Sequence, residues 1–206
     1  MTNQPSFKPE ELPELLTALN YASIKLITRC LIEWQLHTMT RPSESAGARW
    51  DEIDKENKLW NIPASRMKKG CPQTTPLTEQ TMVLLETIDS ITLGSEFIFP
   101  ADKTHKKHIN KETANTALKC MEFKDRQTVH GLRSLASTTL NEQGFDVDVI
   151  EAALSHVVRS AYNRTDYLER RKVVMRWWSD HIEEASEEAS KGPNSITGLK
   201  NLKVAV

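Results

Sequence analysis

Leu12, Leu15, Leu16 and Leu19 recur at helical spacing behind Pro9, and Ile24, Ile27, Leu31 and Trp34 resume the pattern after a break near Asn20. Apolar positions three and four apart share one face of a helix, so this stretch predicts two amphipathic helices. The texture then changes. Arg49-Trp50-Asp51-Glu52-Ile53, the polar run Asp54 to Asn57, and Lys58 to Pro63 read as strand, turn and strand, and Gln73 to Leu77 supplies a third strand after the loop Met67 to Pro72. Thr78 can cap a helix bearing Met82, Leu85 and Ile88, Phe97 to Pro100 reads as extended, and Asn110 can cap a helix through Met121. Thr128 opens a helix that stops at Gly144, Asp146 or Asp148 caps the next, and a long helix runs from about Thr165 into an acidic tail broken at Gly192-Pro193. The expected fold is mainly α with a small three-stranded antiparallel β-sheet. Residues 1–190 form the domain and residues 191–206 a loosely held tail.

Composition adds limits. The 206 residues are 38% hydrophobic, enough for one core, and 27 Lys and Arg against 28 Asp and Glu leave a formal charge of -1. That balance excludes a uniformly basic coat protein but not a local basic face. The cations gather in two blocks, Lys103 to Arg133 and Arg159 to Arg176, which could build one phosphate-facing surface, while Glu183, Glu184, Glu187 and Glu188 lie near the C-terminus. With no long apolar run and no signal-like start, the chain is expected to be soluble and cytoplasmic, with no membrane partner.

Cys30, Cys71 and Cys120 are odd in number and far apart, so they read as buried reduced thiols rather than a disulfide framework or a zinc site. The chain has no glycine-rich phosphate loop, so a nucleotide-driven enzyme is not expected. Neither a cofactor nor a metal is expected.

The polar residues are more telling than the composition. His130 and Arg133 are three apart on a helix that is otherwise apolar, so they share a face. Alone, an HxxR pair is most often an ordinary surface pair. Here it accompanies Thr38-Met39-Thr40-Arg41-Pro42-Ser43-Glu44 at a helix start, Arg66-Met67-Lys68-Lys69 in a hairpin loop, and Leu154-Ser155-His156 followed by Ala161-Tyr162-Asn163-Arg164. In that order these segments resemble the catalytic domain of tyrosine recombinases, specifically P4-like prophage integrases, over nearly the whole stretch from Pro9 to Asp180.

The resemblance implies the tyrosine recombinase catalytic-domain fold and a DNA integrase that cuts and rejoins strands through a 3′-phosphotyrosyl link. It assigns Arg41 and Arg133 to clamping the scissile phosphate, Lys68 (before Lys69) to protonating the leaving oxygen, and His130 and His156 to donating to the phosphate or moving the nucleophile's proton. Tyr162 is the attacking residue, with Tyr167 as the fallback. Glu44 either orients Arg41 or forms an ordinary helix-face ion pair. The implied partner is double-stranded DNA at attachment sites, bound by a tetramer that is monomeric off DNA. His156 and Tyr162 are closer in sequence than is usual in the family, and the chain opens near the start of the family's catalytic domain. The alternative expectation is therefore a degenerate remnant that holds DNA without cutting, and a type IB topoisomerase ranks third.

Overall fold

The computed structural model describes residues 5–68, 70–92, 94–155 and 164–190. Behind a 3-10 turn over Pro9–Glu11, the leucine spacing closes as α1 (Leu12–Tyr21), which buries Leu12, Leu15, Leu16 and Leu19. The next helix, α2 (Leu26–Thr38), is buried at every position from Cys30 to Thr38, polar residues included. Such all-round burial marks a central rod rather than an amphipathic surface helix. After it come the short α3 (Pro42–Ala46) and a three-stranded antiparallel sheet, β1 (Ile53–Asp54), β2 (Leu59–Ile62) and β3 (Gln73–Pro76), in that order. Trp60 pairs with Ile53 on one side and Thr75 on the other, and its ring reaches Trp34 of α2 at 5.1 Å.

The second half wraps the rod with α4 (Glu79–Thr92), α5 (Thr113–Leu118), α6 (Val129–Glu142), α7 (Val147–Ala153) and α8 (Arg164–Ser190). Three of the caps fall where the sequence predicts them. Thr128 accepts from the Gly131 amide at 3.0 Å, Asp146 accepts from the Asp148 amide at 2.9 Å, and Gly144 takes the left-handed φ of 78° that ends α6.

Four expectations need correcting. Residues Arg49 to Ile53 are not a strand: Trp50–Glu52 is a 3-10 turn and β1 begins at Ile53, because the Glu52 carboxylate folds back onto the Arg49 amide (3.3 Å) and the Trp60 indole (2.9 Å). A second, two-stranded sheet exists, β4 (Pro100–Ala101) with β5 (Thr104–His108). The helix expected from Asn110 through Met121 is only α5, whose N-cap is Glu112 rather than Asn110, and after it the chain widens into a π-type turn over Lys119–Phe123 with Glu122 at φ 65°. Of the thiols, only Cys30 is buried; Cys71 lies in the β2–β3 loop and Cys120 in the wide turn, both exposed, and all three are free. The expected tail, 191–206, lies outside the described residues.

Three hydrogen bonds set the placement of α8 and of the N-terminal segment. On α8, Trp178 donates from its indole to the Leu36 carbonyl at 2.8 Å, and Ser179 Oγ meets His37 Nδ1 at 2.9 Å. At the other end, residues 5–7 cross the start of α6, with Ser6 Oγ donating to the Gly131 carbonyl at 2.8 Å. A Cβ at position 131 would fall 2.2 Å from the Pro5 carbonyl oxygen, so the close approach requires glycine there.

Burial pushes the His37 imidazole down to about 4, against a smaller upward pull from Glu183, so the ring is neutral in the folded protein. An unfolded histidine titrates near 6.5. Between those values the unfolded chain takes up a proton that the folded chain does not, so this group lowers stability as pH falls through that window, by roughly 3 kcal/mol at most. His37→Gln should flatten that loss, read as urea midpoints at pH 7 and pH 4.5; equal acid loss in both proteins would count against the assignment. Gly131→Ala should cost about 1–3 kcal/mol by displacing residues 5–7. Chemical denaturation measures this, and an unchanged midpoint would rule out the close approach.

Candidate active site

The corner between α2 and α3 is built from hydroxyls. Thr38 Oγ1 donates to the Trp34 carbonyl at 2.6 Å, meets Thr40 Oγ1 at 2.8 Å, and Thr40 meets Ser45 Oγ at 2.7 Å, all of it buried. Between these anchors Met39 ends α2 in the left-handed region, φ 53°, with its amide bonded back to the Gln35 carbonyl. This reversal delivers Arg41 to the position just before α3, with Pro42 at the first helical turn. Glu44 accepts from the Arg41 amide and from its Nη1, both at 2.9 Å. The Glu44 carboxylate is 1% exposed and the Arg41 side chain 16%. An ordinary surface ion pair is therefore excluded, and Glu44 is the group that orients Arg41. The other guanidinium donors of Arg41 meet no protein acceptor among the described residues.

Arg133 enters the same place from α6 and is 4% exposed. Its Nη1 donates to the Met39 carbonyl and its Nη2 to the Leu154 carbonyl at 2.5 Å. Met39 and Leu154 are the C-terminal cap residues of α2 and α7, so the buried cation sits against two helix ends whose carbonyls carry partial negative charge. Ser155, next after Leu154, is also left-handed, φ 57°. Burial lowers the Arg133 pKa to about 10, with a further push from the Arg41 charge and opposing pulls from Glu44 and Glu151. The group stays protonated at neutral pH. Two guanidinium groups are thus brought together around Glu44.

The remaining residues stand differently. Lys68 is exposed on the loop between β2 and β3, and His130 is exposed on the first turn of α6. His156, Tyr162 and Lys69 lie outside the described residues. Tyr167 is half-buried on α8 against the core, and Arg170 lies over its ring at 5.8 Å, which suits an anchoring aromatic. Arg171, which no sequence motif singled out, is buried on the same helix; it donates to the Thr74 carbonyl of β3 at 2.8 Å and to the Ala152 carbonyl of α7 at 3.4 Å. Burial lowers its pKa.

The basic blocks divide as well. Arg126 is paired with Glu11 and Glu14, Arg170 with Asp146 and Lys172 with Glu169, so these charges are spent within the protein. Lys103, Lys106, Lys107, Lys111, Lys119 and Lys124 are exposed and have no carboxylate partner among the described residues. These exposed lysines without a carboxylate partner thus run from Lys103 to Lys124, and Arg176 is exposed on α8. Among the described residues no cluster of three His, Cys, Asp or Glu side chains could hold a metal ion, and no helix is long and apolar enough to cross a membrane. A pair of forked cations, one held by a buried carboxylate and the other by two helix-end carbonyls, is suited to gripping a phosphate.

Comparison with known proteins agrees with this geometry. The family model "Phage integrase family" matches residues 5–168. The chain is 49% identical to prophage integrase IntA of Escherichia coli K12 over 206 residues, 98% of this chain and 49% of that protein. It is 34% identical to the integrase of Enterobacteria phage P4 over 199 residues, 87% of this chain and 45% of that one. The chain thus spans about half the length of the curated relatives it matches. Among solved structures, the catalytic core of lambda integrase superposes with a TM-score of 0.59 at 16% identity, over 77% of this chain and 95% of that core. A lambda integrase tetramer bound to a Holliday junction superposes at 0.60 and 17% identity, over 80% of this chain and 50% of that one. The fold is that of a tyrosine recombinase catalytic domain, as the resemblance implies. With its matched segment running from the N-terminal crossing at residue 5 to the anchoring helix α8, the chain belongs to the phage integrase family.

Proposed function

We propose that this domain cleaves and rejoins DNA at specific sites, without metal, through a tyrosine. The observation that carries the reading is the pair Arg41 and Arg133, set around the buried Glu44 and fixed by helix ends before any substrate arrives. Donors fixed in advance stabilise developing charge without reorganising, which is the main source of catalytic power in such sites. A phosphodiester carries one negative charge, and the two guanidinium groups would hold its non-bridging oxygens.

In the proposed reaction the Tyr162 hydroxyl oxygen bonds to phosphorus and the bond from phosphorus to the 5′ oxygen breaks. Lys68 supplies the proton that the departing 5′ oxygen takes, and His130 or His156 manages the proton that the tyrosine gives up. Imidazole suits that task because it titrates near neutral pH. The phosphotyrosine keeps the energy of the broken bond, so attack by a 5′ hydroxyl reseals the strand with no nucleotide consumed. The lysines from Lys103 to Lys124 would contact the duplex backbone. The partner is double-stranded DNA at an attachment site, the acting form a tetramer on DNA built from chains that are monomeric off it, and the setting the bacterial cytoplasm; residues 1–190 form the working domain and 191–206 its tail. Among the described residues no feature of the site favours the reading of a remnant that holds DNA without cutting.

The test is a covalent one. Protein is incubated in EDTA with nicked duplexes carrying the element's own attachment site, stopped with SDS, and the linked peptide is mapped by mass spectrometry. We expect an adduct on Tyr162, lost in Tyr162→Phe and kept in Tyr167→Phe. An adduct on Tyr167 would overturn the nucleophile, and DNA retention with no adduct would overturn the reaction in favour of simple binding.

A further inference from the structure

Lys68 stands on a long exposed loop, and a lysine side chain there has no fixed position of its own. Two residues earlier, Arg66 turns the other way, into the protein. Its Nη1 donates to both oxygens of Glu52, and its Nη2 donates to the backbone carbonyl of Glu44. The Glu52 carboxylate is 5% exposed and also accepts from the Trp60 indole at 2.9 Å. Glu44 is the residue that orients Arg41. One guanidinium therefore joins the loop of Lys68, the turn before β1, and the helix that follows Arg41.

The fit is tight. A Cβ at Gly47, just past α3, would lie 3.1 Å from Arg66 Nη2, closer than an ordinary contact, so glycine there leaves the room that the guanidinium occupies. The charge of Arg66 is matched by Glu52 within the protein, which makes it a poor candidate for a phosphate contact. A lysine could not do the same work, because a point charge cannot serve a carboxylate and a carbonyl across a planar fork.

We infer that Arg66 is a positioning residue that sets Lys68 at a fixed offset from Arg41, and so places the leaving-group acid relative to the phosphate clamp. This rests on the reading of Lys68 as that acid. A displacement of about 1 Å in such a group can cost about a hundredfold in rate.

The experiment compares two suicide duplexes, one with an ordinary scissile phosphodiester and one with a 5′-bridging sulfur in place of the leaving oxygen. A thiolate departs without being protonated, so the sulfur substrate bypasses the acid. We expect Arg66→Met to slow the ordinary substrate by about ten- to a hundredfold and to regain parental rates on the sulfur substrate, as Lys68→Ala should. Arg66→Met equally slow on both substrates, or at the parental rate on both, would overturn the proposal. Lys68→Ala not rescued by sulfur would instead overturn the reading of Lys68, whatever Arg66 does. Because Arg66→Met leaves Glu52 buried without its cation, the double variant Arg66→Met with Glu52→Gln and the conservative Arg66→Lys are run beside it. Hydrogen exchange supplies a readout that needs no turnover: amides over residues 63–72 should exchange faster in the Arg66 variants while α2 and α6 keep their protection. Unchanged exchange in that loop also overturns the proposal.

Discussion

A charge buried at Arg133 constrains the rest of the structure more than any apolar contact does. Taking a cation out of water costs several kcal/mol unless its donors are met. The acceptors that meet this one belong to the ends of two different helices, α2 through Met39 and α7 through Leu154. For both carbonyls to face one guanidinium, two helices distant in sequence must stop at the same point in space. Left-handed backbone at Met39 and at Ser155 is where the chain turns to allow it. Non-glycine residues adopt that conformation at a cost, tolerated where the surroundings over-determine it. Here the surroundings are a hydroxyl relay on one side and a capped helix on the other.

From that constraint follows a division of labour between rigid and exposed groups. Arg41, Arg133 and Glu44 are set among buried partners, and their positions are inherited from helix ends and from the Thr38, Thr40 and Ser45 hydroxyls. Lys68 and His130 are exposed, one on a loop and one on a first helical turn. Groups that stabilise charge gain most from being fixed beforehand, whereas groups that exchange protons need access to solvent and substrate. After burial, the Arg41 charge is the next cause of the lowered Arg133 pKa, which marks a repulsion between the two cations. On the proposed reading, an arriving phosphate anion relieves it.

How much of this was legible in the sequence depended on whether a residue's role is local. Thr128, Asp146 and Gly144 announce helix ends because capping is decided within one turn, and the leucines of α1 announce a buried face through their spacing. Arg41, Lys68, His130 and Arg133 carry no such local signal and stand out in the sequence only as motifs in the family's order. β5 was not: Thr-His-Lys-Lys-His shows no apolar alternation, because three of its residues, Lys106, Lys107 and His108, point into solvent and pairing with β4 alone defines it. Trp50 to Glu52 reads as strand because it lies between Arg49 and Ile53 with strand-favouring Trp50 and Ile53 at its ends, whereas the Glu52 side chain, a long-range partner of Trp60 and Arg66, bends the backbone. Glu44 could be seen as a partner of Arg41, but only its burial decides between an orienting group and a surface pair. Arg66 lies within the Arg66-Met67-Lys68-Lys69 segment, yet neither its role nor that of Arg171 shows in the sequence, since what each does is join segments far apart along the chain.

Arg171 joins three elements at the end of α7. Its Nη1 reaches the Ala152 carbonyl while Arg133 holds that of Leu154, so the last turn of α7 is gripped by two buried cations, one from α6 and one from α8. Both exploit the partial negative charge at a helix C-terminus. The Nη2 of Arg171 ties the same point to Thr74, on the strand that leaves the Lys68 loop. The last turn of α7 is thus tied to α6, to α8 and to β3 at once, while α8 is fixed at Trp178 and Ser179 against α2.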